Sequence, residues 1–304
     1  MFRGTFTALV TPFRDGQIDE TAFEQLIEWQ IENEVAGVVP VGTTGESPTL
    51  DHAEHHRVIE LAVRVARGRC KVFAGTGSNS TAEAISLTQE AERVGADGAL
   101  VVAPYYNKPS QEGLFRHYRA IADNTRLPLI LYSIPGRCGI EIGVDTTVRL
   151  AETCANIVSI KEAGGSVERV NQLRYALPEE FTILSGDDPL TLPFMASGAV
   201  GVISVASNIV PGEIVRMVRA AEAGRIDEAR EIHFRHYQLF KDLFLETNPV
   251  PIKTALAFAG RISPELRLPL CEMSAANQAK LKATLSRLDL LPSHAADVLE
   301  VAPV

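Results

Sequence analysis

In "IVSIKEAGG" (157–165) the chain opens an apolar strand and then places Lys161 where a hydrophobe would be expected. Strand periodicity puts Ile157, Ser159 and Lys161 on one face and Val158, Ile160 and Glu162 on the other. An ammonium group taken out of water loses proton affinity, and the neutral amine can attack a ketone to form a Schiff base. A structural lysine, paired with a carboxylate or snorkelling to a rim, would carry the same local pattern. This stretch alone leaves both readings open.

Three further stretches hold chemistry-bearing residues. In "LILYS", Tyr132 shares parity with Ile130 at a strand's end, so its hydroxyl can move protons beside a cation or can simply bond backbone in a core. In "PGRCG", Arg137 sits in a tight turn, suited to clamping a carboxylate, although a surface arginine would look alike. In "VGTTGES", glycines flank Thr43 and Thr44, giving a compact turn that presents hydroxyls and backbone N–H groups to an anion or a proton relay. The "HAEHH" run sets His52 and His56 one helical turn apart, with His55 between. No acidic ligand set accompanies it, so a solvated or effector-facing helix is expected rather than a metal site. Cys70, Cys138, Cys154 and Cys271 fit no zinc spacing and read as reduced, structural thiols of a cytoplasmic protein.

These residues must be held by a repeating scaffold. Short β-rich runs recur at "FTALV" (6–10), "GVVPV" (37–41), "KVFAG" (71–75), "GALVVA" (98–103), "PLILYS" (128–133), "IVSIK" (157–161), "FTILSG" (181–186) and "GVISV" (201–205). Helical stripes fill the intervals. Phe23, Leu26, Ile27, Ile31 and Val35 form one, and Ala84, Leu87, Ala91 and Val94 another, with Ser80 as N-cap and Gly95 as the stop. Eight strands alternating with helices predict a (β/α)8 TIM barrel over residues 1–224, with Lys161 and Tyr132 at the C-terminal mouth where barrel chemistry is done. A doubly wound sheet is the alternative, but no Gly-rich dinucleotide fingerprint follows the first strand. The strand signal ends near Gly224. Residues 225–292 read as a C-terminal helical region and 293–304 as a loosely held tail.

The 304 residues carry a net charge of −9, which argues against nucleic acid and anionic membrane surfaces as partners. No apolar run approaches the ~20 residues of a membrane span. "TFTALVTPF" follows Met1 almost at once, so no leader is expected.

Taken together, "VGTTGES", "GTGSNSTAEAI", "APYYNKPSQEGL", "YSIPGRCG", "IKEAGG", "SGDDPLTLP" and "GVISV" resemble the pyruvate-dependent aldolase superfamily typified by dihydrodipicolinate synthase and N-acetylneuraminate lyase. The likeness runs from about Phe2 to Leu291 and is nearest the dihydrodipicolinate synthase branch. It implies a Schiff-base condensation of pyruvate with L-aspartate 4-semialdehyde, on the diaminopimelate route to lysine, without metal or organic cofactor. By the same resemblance Lys161 forms the imine. Tyr132, Thr43 and Tyr106 form a hydroxyl relay, with Tyr106 reaching into a neighbouring subunit of a homotetramer. Thr44 holds the pyruvate carboxylate, Arg137 binds that of the semialdehyde, and Gly186 and Ile203 line the pocket. Ser47, His52, His55, Asn79, Glu83 and Tyr105 match an L-lysine effector site. Three positions depart from the family pattern. Ser133 replaces an Asn, Cys138 replaces a Thr, and Pro48 replaces a small alanine. The competing activity is cleavage of sialic-acid or sugar-acid aldols, which Arg137 disfavours. A catalytically silent scaffold is disfavoured by the presence of Lys161 and Tyr132.

Overall fold

Each parallel strand is too short and too apolar on both faces to be stable alone, and the chain solves this by closing the sheet on itself. The computed structural model describes residues 2–292. Its eight barrel strands are Gly4–Ala8, Gly37–Val39, Lys71–Gly75, Gly98–Val102, Leu129–Ser133, Ile157–Glu162, Thr182–Ser185 and Gly201–Ser204. All pair in parallel with their neighbours in sequence, and the eighth pairs with the first, Phe6 lying opposite Ile203. Helices fill the intervals, so the expected barrel is present.

Alternation along the strands splits the apolar residues into two sets. Phe6, Ala8, Val39, Phe73, Leu100, Ile130, Tyr132, Leu184 and Ile203 fill the barrel interior. A larger set packs between the strands and the surrounding helices. Full burial of each large side chain stabilises by roughly 1.5–3 kcal/mol. One sequence expectation is corrected here. Ile157 does not share Lys161's inward face but joins the outer set. The cause is a register shift: Leu129 pairs with Ile157 and Ile130 with Ser159, so one residue is skipped and the inside-outside alternation resets before Lys161.

The helix starts follow local chemistry. Ser80 caps Thr81–Arg93 by accepting from the Glu83 amide, as expected. Asp51 and Glu54 make a reciprocal capping box that opens His52–Ala66.

After Gly224 come the helices Ile226–Asp242, Val250–Phe258 and Ala275–Arg287. They are tied to the barrel's second loop by charged groups. Lys253 pairs with Glu46 where both side chains are fully buried. The Arg267 amide donates to the other Glu46 carboxylate oxygen at 3.1 Å, and its guanidinium grips Glu54. The predicted tail, 293–304, lies outside the described residues.

Candidate active site

Lys161, next to last in the sixth strand, lies directly opposite Tyr132 on the fifth, and its Nζ lies 4.1 Å from the centre of that ring. The side chain is 5% exposed. No hydrogen bond or ion pair to Nζ occurs among the described residues. Desolvation draws the pKa from 10.5 to about 7; the Asp188 carboxylate opposes this and the Arg137 guanidinium adds to it. Such an amine is substantially neutral near neutral pH, which is the state a nucleophile needs.

The neighbouring strand leaves room for this side chain at Gly186. A Cβ there would stand 2.8 Å from the Lys161 Cε and 2.7 Å from the Ala163 Cβ. Asp188, two residues on, is buried and accepts from the amides of Val205 (3.0 Å) and Ala206 (2.9 Å). It thereby joins the mouths of the last two strands beyond Ile203 and supplies the carboxylate that Lys161 feels. Sequence reading quoted the "SGDDPLTLP" run without assigning Asp188 a part. An acid directly after a barrel strand was the available signal.

Tyr132 is pushed well above its ordinary pKa by burial, with Arg137 and a hydrogen bond from the Thr43 side chain working the other way. Thr43 belongs to a turn folded on itself, in which the amides of Gly45 and Ser47 both donate to the Gly42 carbonyl. Its borders, Val41 (φ 50°) and Glu46 (φ 53°), lie in the left-handed region that non-glycine residues avoid. The buried Glu46–Lys253 pair and the Arg267 amide are what hold Glu46 there. Thr44 accepts a 3.0 Å hydrogen bond from the Asn248 amide. Arg137, exposed on the short helix Pro135–Cys138, donates to the Asn248 carbonyl at 3.0 Å. Asn248 and Lys253, both from "NPVPIK", were missed as partners of the site because nothing local shows what lies opposite a residue 204 positions away.

A cavity of about 430 Å³ joins two groups of sequence-nominated residues. Thr43, Tyr132 and Arg137 line it together with Ser47, His52, His55, Glu83 and Tyr105. Glu83 bonds His52 Nε2 at 3.0 Å and also accepts from the Ser78 hydroxyl. His55 is buried, bonds the Gly75 carbonyl at 3.0 Å, and is drawn down to a pKa of about 4 by desolvation. Asn79 reaches the Tyr105 carbonyl, while Asn107 returns a bond to the Asn79 carbonyl. The three imidazoles of the "HAEHH" run take separate partners, His56 facing Glu90 at 4.0 Å.

Tyr106 is the one nominated catalytic residue that this chain does not bring to the others. It is 89% exposed with φ 73° and does not line the cavity that Thr43 and Tyr132 share. The departures are accommodated quietly. Ser133 Oγ accepts from the Ile142 amide at 3.4 Å, and Cys138 donates its thiol proton to the Ala103 carbonyl, with burial pushing its pKa up to about 11. Pro48 is exposed on the single turn Ser47–Thr49.

Residues 1–288 match the model of the dihydrodipicolinate synthetase family. The 4-hydroxy-tetrahydrodipicolinate synthase of Thermodesulfovibrio yellowstonii is 52% identical over 291 residues, 96% of this chain and 100% of that protein. The solved structure of the same enzyme from Methylacidiphilum fumariolicum SolV is 58% identical with a TM-score of 0.94, covering 96% of this chain and 100% of that one. A dihydrodipicolinate synthase from Cyanidioschyzon merolae, solved with lysine bound, is 42% identical with a TM-score of 0.92, covering 95% of this chain and 99% of that one.

Proposed function

The chain belongs to the dihydrodipicolinate synthetase family and is a lyase condensing pyruvate with L-aspartate 4-semialdehyde, and from that premise we propose how its residues carry the reaction. The observation that carries the reading is Lys161: an inward amine with no carboxylate partner among the described residues, drawn to a pKa of about 7. Its lone pair attacks C2 of pyruvate, and loss of water leaves an imine. The imine nitrogen is the electron sink that lets a methyl proton leave, giving an enamine whose carbon attacks the aldehyde. The semialdehyde's own amine then displaces Lys161 as the ring closes. This route needs neither a metal nor an organic cofactor.

Each step that makes or breaks a C–O or C–N bond moves a proton, and Thr43 with Tyr132 supplies the hydroxyls for it. In this reading Tyr106 completes the relay of a second copy, which its exposure supports; the assembly is a homotetramer built as a dimer of dimers. Thr44 holds the pyruvate carboxylate, Arg137 that of the semialdehyde, and Gly186 and the Ile203 backbone shape the pocket. Among the described residues no helix is long and apolar enough to cross a membrane. The reading as an amino-acid biosynthetic enzyme is what supports a cytoplasmic location.

Borohydride added with pyruvate should leave a reduced three-carbon adduct on Lys161, read by mass analysis of the peptide. Adduct on Lys253 or Lys108 with Lys161 untouched would overturn the assignment.

The second part of the reading is feedback by L-lysine at Ser47, His52, His55, Asn79, Glu83 and Tyr105. Glu83 suits an ammonium, and the effector-side and relay-side residues share one cavity. Millimolar lysine should inhibit partially, and Glu83→Ala should abolish that inhibition while keeping basal turnover. Flat activity with lysine, and no heat of binding, would remove the effector from this chain's account.

A further inference from the structure

We propose that Asn248, in the C-terminal region, is a positioning residue that fixes the polarity of the Thr44 hydroxyl so that its proton is reserved for the carboxylate of pyruvate. The proposal rests on the reading above in which Thr44 holds that carboxylate.

Asn248 is 5% exposed, and its side-chain Nδ2 donates to Thr44 Oγ1 at 3.0 Å. A hydroxyl has one proton and can accept as well as donate. With its oxygen occupied by the Asn248 amide, Thr44 keeps a proton that donates to no group among the described residues. Thr11, Thr147 and Thr254, by contrast, spend their hydroxyl proton on a backbone carbonyl. Thr44 is also buried, and Gly45, beside it, sits against Val41 too tightly for a side chain, with a Cβ 3.0 Å from the Val41 nitrogen. The hydroxyl is thus held in a rigid turn, and its proton is the part left for a ligand.

The same residue governs the second-substrate side through a different atom. Its backbone carbonyl accepts from Arg137 Nη2 at 3.0 Å. Side-chain substitutions at 248 therefore remove the Thr44 contact and retain the Arg137 contact. That separation makes the role measurable, since a merely structural residue would disturb both substrates together.

The test is steady-state kinetics of the full-length enzyme with Thr44→Val, Asn248→Ala, Asn248→Asp and the Thr44→Val/Asn248→Ala double variant. Loss of an ordered donor to a carboxylate should raise KM for pyruvate roughly tenfold in Asn248→Ala. Asn248→Asp should be worse, roughly a hundredfold, because an aspartate would capture the Thr44 proton and set a negative charge beside the bound carboxylate. KM for the semialdehyde should stay within about twofold, and the double variant should be no worse than Thr44→Val alone, as for residues acting as one unit. If Thr44→Val raises KM for pyruvate but Asn248→Asp does not, the inference is overturned and the role of Thr44 stands. If Thr44→Val leaves it unchanged, the reading of Thr44 fails and takes the inference with it. Equal rises in both KM values in the Asn248 variants, tracking a lowered melting temperature, would also overturn it. Should Asn248→Asp not fold, Asn248→Ala and the double variant carry the same decision.

Discussion

Lys161 and Lys253 are both buried, at 5% and 0% exposure, and each ammonium lies over an aromatic ring, 4.1 Å from Tyr132 and 4.2 Å from Phe13. Desolvation draws both below the ordinary lysine pKa. They differ in one respect. Lys253 touches the Glu46 carboxylate, whereas among the described residues no carboxylate contacts Lys161, which feels the Coulombic pull of Asp188 with Arg137 pushing back. Burial by itself therefore does not make a reactive amine. A carboxylate in contact turns a buried lysine into a tether for the second loop; on the proposed reading, the lack of one at Lys161 among the described residues leaves a lone pair free for pyruvate.

The largest test of that contrast exchanges each lysine for methionine. Lys161→Met should lose at least ~10³-fold in turnover, because the covalent route is gone. It should nevertheless be more stable than the parent. The sign follows from linkage: Lys161 has a folded pKa of about 7 against 10.5 unfolded, so the unfolded chain binds more protons between those values and parental stability rises with pH across that window. The advantage of Lys161→Met should be greatest below pH 7 and fade as pH approaches 10.5, read by denaturant unfolding at several pH values. Lys253→Met should do the reverse. It leaves Glu46 buried without a partner and costs about 3–5 kcal/mol of stability, most of which Glu46→Gln in the same chain should restore. Equal stability of the two variants would break the comparison.

A smaller effect is expected at Arg137. Arg137→Ala should weaken use of the semialdehyde by roughly ten- to a hundredfold, from loss of a charge-assisted carboxylate contact. Pyruvate imine formation should survive at high pH, with its midpoint moved upward because a positive neighbour of Lys161 is gone. A fixed midpoint would mean that Arg137 does not act on Lys161.

The smallest effect is in the parent enzyme. Borohydride trapping rates should follow the neutral fraction of Lys161, with a midpoint near pH 7, so that trapping at pH 6 is roughly fivefold slower than at pH 7. A midpoint near 10 would place Lys161 with ordinary, solvated lysines.

The sequence by itself determined the barrel, because eight apolar runs separated by helical stripes have few other ways to bury both faces of every strand. It also singled out Lys161, Tyr132, Thr43, Thr44 and Arg137, since each interrupts a local pattern at a strand's end or in a turn. Only the tertiary structure decided what those residues meet. Ile157 was placed on the wrong face because a register shift is a property of two strands, not one. Asn248 and Lys253 read as parts of an ordinary helix-forming stretch until folding set them against Thr44 and Glu46. Reactivity was undecided for the same reason: whether a buried lysine is a nucleophile or a tether depends on a carboxylate that lies far away in the chain and within contact in space.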